Sequence, residues 1–323
     1  MSRLSVIIPT YRRPEFLRRC LESLAAQDAS SDDFEIVVVD DGSPESTVAA
    51  LREMAERLPM LRWFRLEKNS GPAAARNLAI AEARGPLLLL MDDDVVATKS
   101  LVSTHLRLQD ETADPMLGIL GLVEWAPDLT VTPFMRWVDR SGLQFAYGTW
   151  IREGPIMPAF SAFYACNLSL SRAIIVEAEG FDERFPYPAY EDMELAWRLT
   201  QRGFILRHRR EALAYHARAI DLPAFRARMA RVAESAVLLR AIQPDFPLDE
   251  GGPPAWSRAG AGRLVSRLIA QLARVTKNPG VLDRHFRAEI AAAYAEGTER
   301  GRSRLSERLA AAPGQGASSP REP

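Results

Sequence analysis

The feature that most constrains this sequence is an uninterrupted apolar run that ends in three acids. Four leucines and a methionine form Leu87–Met91, and Asp92, Asp93 and Asp94 follow at once. A short continuous apolar run predicts a strand buried on both faces, as in a parallel sheet. Adjacent carboxylates cannot stay buried without partners. We therefore expect the strand to end in a crevice at the sheet edge, where open α/β sheets bind ligands. A solvated acidic turn is the alternative for these residues alone.

A second acidic strand end occurs earlier in the chain. Glu35 is followed by a β-branched apolar run at residues 36–39, and Asp40 and Asp41 come directly after it. Strand and helix patterns alternate from residue 4 onward, which predicts a parallel sheet with right-handed crossovers. Both acidic ends are then expected at the same edge of the sheet. Carboxylate oxygens are the ligands that Mg²⁺ and Mn²⁺ prefer.

Composition excludes several classes of protein. A net charge of −1 over 323 residues provides no overall basic field, so no nucleic-acid partner is expected. Cys20 and Cys166 form neither a disulfide framework nor a metal-ligand spacing, which favours a cytoplasmic setting. No apolar run reaches the roughly 20 residues that span a bilayer. The first residues enter a strand pattern directly, which is not typical of a signal peptide.

Four motifs in this chain resemble those of family 2 glycosyltransferases, in that family's order and approximate spacing: Val6-Ile7-Ile8-Pro9-Thr10-Tyr11, Val39-Asp40-Asp41-Gly42-Ser43, Gly71-Pro72-Ala73-Ala74-Ala75-Arg76-Asn77 and Asp92-Asp93-Asp94. The resemblance implies an α/β GT-A fold, with a Rossmann-like, mostly parallel sheet flanked by helices. It also implies a nucleotide-sugar donor and Mn²⁺ or Mg²⁺ as cofactor.

The resemblance further implies a set of donor-binding residues near the strand ends: Pro9, Thr10, Tyr11, Asp40, Asp41, Arg76, Asp92 and Asp93. The first three would line the nucleotide pocket, and Asp41, with Asp40, would bind the base or ribose. Arg76 would lie near the base or phosphates, since a guanidinium early in a helix can reach either. A solvated helix charge is the alternative for Arg76.

The implied metal ligands come from two parts of the chain. Asp92 and Asp94 match the family's D-x-D pair, with Asp94 the more direct ligand and Asp93 in the variable middle position. His216 follows the apolar strand pattern of residues 212–215, and in the family a histidine there often completes the metal site. Imidazole suits Mn²⁺ better than Mg²⁺.

Glu191 and Asp192 open a predicted helix at residues 191–199. Acids at a helix N-terminus are favoured by the helix dipole, so ordinary capping is one interpretation. The family's E-D motif falls here, which implies that Asp192 is the general base and Glu191 a supporting or acceptor-contacting residue. Inverting transfer needs such a base, because the acceptor hydroxyl must lose a proton.

The resemblance covers about two thirds of the chain. It predicts a catalytic domain at residues 1–220, with a nucleotide-sugar-binding half at 1–123 and an acceptor-binding half at 124–220. A helical region at 221–310 and a disordered tail at 311–323 complete the prediction. In residues 124–156, aromatic residues that can stack on a sugar or fill the core are interspersed with charges and glycines: Trp125, Phe134, Trp137, Phe145, Tyr147 and Trp150.

A basic amphipathic pattern at residues 263–277 has two interpretations. It predicts either peripheral contact with the inner face of the membrane or packing on the catalytic domain or a partner subunit, as in a homodimer. A lipid-linked acceptor would make the membrane contact useful.

The sequence thus predicts a metal-dependent inverting glycosyltransferase. UDP-sugar is the favoured donor because UDP is the family's commonest, and the acceptor is a glycan, a lipid-linked glycan or a small molecule. A nucleotidyltransferase is an alternative, although Tyr11-Arg12-Arg13 lacks the glycines that hold a triphosphate. A non-catalytic nucleotide-sugar-binding protein is another, although it would not need the carboxylate of Asp192.

Overall fold

The structure is a computed structural model that describes residues 2–112, 114–248 and 278–311, the side chains of residues 308–311 excepted. Its contacts divide the chain into two compact units, Met1–Ala224 and Phe225–Pro323. The finer domain boundaries given above stay predictions. The basic segment at 263–277 and residues 312–323 of the predicted tail lie outside the described residues. In the part of the chain that is described, no helix combines the length and apolarity needed to cross a bilayer.

The first unit is built on a sheet to which the described residues contribute nine strands, in the order β3-β2-β1-β4-β8-β6-β9-β5, with β7 also paired to β9. The strands are β1 (Leu4–Thr10), β2 (Phe34–Asp40), β3 (Leu61–Arg65), β4 (Leu87–Met91), β5 (Val95–Ala97), β6 (Leu117–Trp125), β7 (Gly154–Ile156), β8 (Asn167–Ser171) and β9 (Ile205–His216).

Helices flank this sheet and connect its strands. In chain order they are α1 (Pro14–Ala25), α2 (Glu45–Arg57), α3 (Pro72–Glu82), α4 (Leu101–Thr112), α5 (Pro133–Ser141), α6 (Arg172–Glu177) and α7 (Glu191–Thr200), with a 3₁₀ turn at Ala159–Ala162. Helix α1 begins at Pro14 and buries Leu17, Cys20, Leu21 and Leu24, which recur at helical spacing on one face. Helix α8 (Leu222–Ile242) crosses the boundary between the units.

Strands β1 to β4 form the predicted parallel part of the sheet. Strand β1 pairs in parallel with β2 and β4, and β2 pairs in parallel with β3. Every residue of β2 is buried, and so are the last four residues of β4. The two acidic segments therefore follow β2 and β4, the two strands that flank β1, at one edge of the sheet, as predicted.

The rest of the sheet is mixed. Strand β8 runs antiparallel to β4 and β6, β6 is parallel to β9, and β5 is antiparallel to β9. The α/β fold class is confirmed, but the parallel arrangement is less extensive than the alternation of strands and helices predicts. The reason is local: β5 follows the Asp92–Asp94 turn directly, and no helix intervenes to return the chain in parallel.

In the second unit, α8 packs against α9 (Pro279–Ala311). Gly297 and Gly301 allow the close approach, since a Cβ on Gly297 would lie 1.9 Å from the carbonyl oxygen of Ala230. Glu234 forms an ion pair with Arg304 across the two helices.

Candidate active site

The acidic triad after β4 differs in exposure from one residue to the next. The side chain of Asp92 is 37% exposed, whereas those of Asp93 and Asp94 are buried. Asp93 accepts hydrogen bonds from Thr10 Oγ1 at 2.7 Å and from Arg13 Nη1 at 2.9 Å. Burial raises the pKa of Asp93 to about 6, against the opposing effect of the Arg13 charge. Asp93 therefore points into the protein and ties the end of β1 to the triad.

Asp94 lies between two guanidinium groups and an imidazole. Its Oδ2 accepts a hydrogen bond from Arg13 Nη1 at 3.1 Å and is 3.2 Å from Arg218 Nε. Its Oδ1 is 3.8 Å from His216 Nε2. The pairing of β5 with β9 produces this contact, because it sets Val95 opposite His216. The sheet thus brings together residues that the sequence predicts as metal ligands.

The hydrogen bonding of His216 fixes its tautomer. Its Nδ1 is 3.0 Å from the backbone oxygen of Arg218, and a carbonyl can only accept, so Nδ1 carries the proton. Burial lowers the pKa of His216, so the ring is neutral and Nε2 presents a lone pair to the Asp94 carboxylate. His216 Nε2 and Asp94 Oδ1, which are 3.8 Å apart, each offer a lone pair and could share a divalent cation. Among residues 2–112, 114–248 and 278–311, however, no three His, Cys, Asp or Glu side chains converge as a ligand set.

Asp41 holds the loop that precedes α3. Its carboxylate accepts hydrogen bonds from Asn69 Nδ2 at 2.9 Å, from the backbone N–H of Ser70 at 2.6 Å and from that of Gly71 at 2.9 Å. Burial raises the pKa of Asp41, and the two backbone donors oppose this effect. The carboxylate is thus already engaged with protein donors, and its contact with a base or ribose stays a prediction.

Asp40, Pro9 and Tyr11 lie at the same sheet edge. Asp40 is fully buried, accepts from the backbone N–H of Ser43, and lies 3.3 Å from Arg65 Nε. Pro9 is in β1 and Tyr11 follows that strand directly; both are partly exposed. The structure brings these predicted donor residues to one edge, and their individual contacts with a nucleotide stay predictions.

Arg76 links the Asp92–Asp94 segment to the start of α7. Only 4% of its side chain is exposed; Nη1 donates to Glu191 Oε1 at 2.8 Å and Nη2 donates to Asp92 Oδ1 at 2.9 Å. Its guanidinium carbon lies 5.5 Å from the centroid of the Phe181 ring. The sequence predicts Arg76 near the base or phosphates. In the structure its donors pair with two carboxylates, the partners that its burial requires, and its contact with a base or phosphate stays a prediction.

The residue after Arg76 acts on the same neighbouring segment. Asn77 Oδ1 accepts from the backbone N–H of Phe181 at 2.8 Å, and its Nδ2 donates to the Phe181 carbonyl at 2.9 Å. Gly71, which precedes α3, has a φ of +94°, a backbone conformation that glycine adopts easily and other residues adopt rarely. Helix α3 therefore attaches the segment that leads to Glu191.

Glu191 and Asp192 begin α7 at the same crevice. Glu191 is 3% exposed, and its Oε2 has no hydrogen-bond partner among the described residues. Asp192 is half-buried and accepts from the backbone N–H of Met193 at 2.8 Å. Burial and the neighbouring Glu191 raise the pKa of Asp192 to about 7. A carboxyl group in this range can take up a proton near neutral pH.

A cavity of about 900 Å³ lies against His216. Its walls are largely aromatic and apolar, and include Trp125, Phe145, Tyr147, Ile151, His208 and His216. The His216 ring packs edge-to-face on Trp125, with centroids 5.3 Å apart. Trp125 Nε1 donates to Asp139 at 2.8 Å, which fixes the indole. Residues 124–156, whose aromatic side chains the sequence predicts either to stack on a sugar or to fill the core, supply most of the lining of this cavity.

Two residues of the site escape the sequence reasoning, Arg13 and Arg218. Both pair with Asp94, yet neither belongs to a motif that indicates an ion pair. Charge balance offers a signal: three adjacent carboxylates at the end of a buried strand need cationic partners, and Arg13 lies just beyond the neighbouring strand β1.

The fold is that of the GT-A class. Two solved structures share it: Staphylococcus aureus TarS 1-349 in complex with UDP, with a TM-score of 0.56 and 19% identity over 94% of this chain and 92% of that chain, and the mannosyltransferase PcManGT from Pyrobaculum calidifontis in complex with GDP-Man and Mn²⁺, with a TM-score of 0.54 and 19% identity over 96% of this chain and 76% of that chain.

Residues 5–119 match the family described as Glycosyl transferase family 2, which supports a family 2 glycosyltransferase domain over that part of the chain. A curated relative, validoxylamine A glucosyltransferase from Streptomyces hygroscopicus subsp. limoneus, is 30% identical over 234 residues, which are 66% of this chain and 51% of the relative. The chain thus spans about half the length of this relative.

Proposed function

We propose that this protein is a metal-dependent inverting glycosyltransferase. It moves a sugar from a nucleoside-diphosphate sugar, with UDP-sugar favoured, to a hydroxyl of a glycan, lipid-linked or small-molecule acceptor. The observation that carries the proposal is the ion-paired link from Asp92 through Arg76 to Glu191, which holds the D-x-D segment beside the Asp192 carboxyl. Donor and acceptor chemistry need these two segments at one place.

Asp94 and His216 would hold the divalent cation, with Asp92 at the exposed end of the triad. The neutral imidazole and the carboxylate face each other across 3.8 Å, which suits Mn²⁺ better than Mg²⁺ because a nitrogen ligand takes part. Diphosphate oxygens and water would complete the coordination, as is usual where a protein provides few ligands. When bound, the cation neutralises the charge that develops on the leaving diphosphate.

Asp192 would act as the base. The acceptor oxygen forms the new bond to the anomeric carbon while its proton passes to the Asp192 carboxylate, and the bond from that carbon to the diphosphate oxygen breaks. Burial, which raises the pKa of Asp192 to about 7, matches the group to this task at neutral pH. Attack opposite the diphosphate inverts the configuration.

Glu191 has a separate part in this scheme. Its Oε1 is occupied by Arg76, whereas its buried Oε2 has no hydrogen-bond partner among the described residues. A buried oxygen without a partner is costly. An acceptor hydroxyl that donates to Oε2 would remove that cost and orient the acceptor next to Asp192.

The cavity beside His216 would receive the acceptor. A volume of about 900 Å³ is within the usual range for small-ligand sites. The Trp125 and Tyr147 rings provide flat apolar surfaces for the faces of a sugar ring. This location favours an acceptor with at least one ring inside the cavity, whether it is free or linked to a larger chain.

The test of the donor site is thermal unfolding with UDP, GDP, dTDP and CDP, each with Mn²⁺, Mg²⁺ or EDTA. A ligand at one hundred times its Kd adds about 2.7 kcal/mol to the free energy of unfolding. We expect the largest increase in Tm with UDP and Mn²⁺, and its loss in EDTA. His216→Gln should lose the Mn²⁺ dependence, whereas His285→Gln, in the second unit, should keep it. No increase with any diphosphate would refute the proposed donor site.

A further inference from the structure

Every carboxylate of the acidic triad pairs with at least one arginine. Asp92 pairs with Arg76, Asp93 pairs with Arg13, and Asp94 pairs with both Arg13 and Arg218. Three arginines thus face the three carboxylates, and one of them, Arg76, is shared with Glu191. A divalent cation that approaches Asp94 meets a carboxylate that already has cationic partners, and it must compete with them.

The three arginines differ in how firmly they are held. Arg76 is 4% exposed and fixed between two carboxylates, so it cannot leave. The side chains of Arg13 and Arg218 are 35% and 41% exposed, and both approach the same oxygen of Asp94. Partly exposed side chains can change partner at a lower cost in desolvation than the buried Arg76.

We propose that Arg13 and Arg218 are exchangeable counter-ions, which neutralise Asp94 in the free protein and transfer to the donor's diphosphate when the cation takes their place. The inference rests on the proposed function. It deepens that function by coupling the two ligands: the cation alone binds weakly because the arginines oppose it, and a diphosphate offers them a new partner. Guanidinium groups bind phosphate oxygens as readily as carboxylates.

The opposing effects on the two ligands distinguish this role from a structural one. Loss of Arg13 removes a competitor of the cation, so Mn²⁺ alone should bind more tightly. The same loss removes a diphosphate partner, so UDP should bind less tightly when Mn²⁺ is saturating. A residue that merely supports the shape of the site would weaken both when it is removed. Asp93 should remain in place through its hydrogen bond from Thr10.

The experiment measures Mn²⁺ binding by electron paramagnetic resonance, which counts free Mn²⁺, with and without UDP, on the full chain. For the wild type we expect UDP to tighten Mn²⁺ binding by about 5- to 150-fold, the usual range for coupled sites. For Arg13→Gln we expect Mn²⁺ alone to bind about fivefold more tightly than in the wild type. We expect UDP at saturating Mn²⁺ to bind about tenfold less tightly. Both values lie within the usual range of coupling between two sites. Arg218→Gln should shift both affinities in the same directions.

Arg19→Gln is the matched control. Arg19 lies on α1 with a side chain 38% exposed, close to the exposure of Arg13, but it pairs with Asp128 instead of the triad. It should bind Mn²⁺ and UDP as the wild type does. Melting temperatures of all variants establish that each is folded.

Two results would overturn the inference, and they separate it from the proposed function. If the wild type binds Mn²⁺ with UDP, but neither Arg13→Gln nor Arg218→Gln binds Mn²⁺ alone more tightly, the arginines are not counter-ions of this kind and the proposed function stands. If neither the wild type nor any variant binds Mn²⁺, with or without UDP, the metal-dependent function fails and the inference fails with it.

Discussion

Arg76 donates to Glu191 across a gap of 115 residues in the chain, with Nη1 2.8 Å from Oε1 and both side chains less than 5% exposed. The second guanidinium nitrogen donates to Asp92 at 2.9 Å. Burial disfavours the charged form of Arg76, but the charges of Asp92 and Glu191 and the hydrogen bond to Glu191 raise its pKa. Arg76 therefore stays charged. The pair therefore holds the D-x-D segment and the start of α7 together.

Removal of one partner should be more damaging than removal of both. Arg76→Met leaves Glu191 charged and buried without a partner, so we expect a loss of about 3–5 kcal/mol in the free energy of unfolding. Arg76→Met with Glu191→Met replaces the pair by apolar side chains and should restore much of that loss. Urea unfolding of the wild type, both single variants and the double variant measures the coupling. A double variant as unstable as the sum of the singles would contradict the pairing.

The activity should depend on pH through Asp192. Burial and Glu191 raise its pKa to about 7, and only the carboxylate can accept a proton. We therefore expect kcat to rise as pH increases through about 7. Asp192→Asn should lower kcat by about 10²- to 10⁴-fold, the usual contribution of a general base, and abolish this rise. The measurement is UDP release from a UDP-sugar at saturating acceptor, from pH 5.5 to 8.5.

Nucleotide binding provides the control for that variant. Asp192→Asn should bind UDP with Mn²⁺ as the wild type does, because Asp192 is not placed against the diphosphate. Asp128→Asn, which alters an exposed ion pair with Arg19, should keep full activity. Unchanged turnover in Asp192→Asn would reject Asp192 as the base.

The sequence predicts the outline of the site because that outline is local. Asp92–Asp94 follow a strand whose burial is evident from five apolar residues, and Asp192 opens a helix. The proximity of His216 to Asp94 could be expected only from the family, since it depends on the pairing of β5 with β9. Strand register is set by contacts between distant segments, which periodicity in one segment does not contain.

The arginines of the site show more clearly what the sequence alone does not predict. Arg76 is recognisable as a motif residue, but its position between two carboxylates depends on where α7 packs, and local pattern carries no such information. Arg13 and Arg218 match no pattern that indicates a pairing. Likewise, the antiparallel β8 departs from the predicted parallel order because the chain enters the sheet from the opposite end.

The carboxyl group of Asp192 should also reduce the stability of the fold at high pH. The folded pKa of Asp192, about 7, lies above its unfolded value of about 3.9, so the folded state retains a proton that the unfolded state releases. The stability from this proton is complete below the unfolded pKa and is lost as pH rises through about 7. Asp192→Asn cannot ionise, so it should be more stable than the wild type at pH 8, and this advantage should shrink towards pH 4.5.

Urea unfolding at pH 4.5 and 8 measures that difference. Asp128→Asn is a control of opposite sign, since the hydrogen bond from Arg19 lowers the pKa of Asp128, and the exposure of the group keeps its effect small. An Asp192→Asn variant that is less stable than the wild type at pH 8 would show that the carboxylate is stabilised in the fold, in conflict with its proposed burial as a poised base.

The cavity beside His216 leads to a prediction about the acceptor. Trp125 contributes a ring to the cavity wall, fixed by its hydrogen bond to Asp139 and by edge contact with His216. If the acceptor's ring stacks on this surface, Trp125→Ala should raise the acceptor KM by about tenfold or more, since aromatic contacts contribute about 0.5–1.5 kcal/mol beyond the buried area. The donor KM should stay unchanged, because the residue faces the cavity.

Trp150→Ala provides the control, since Trp150 is 48% exposed and does not line the cavity. Steady-state kinetics with each substrate varied in turn measures both constants, and an effect on the donor KM alone would place the acceptor elsewhere.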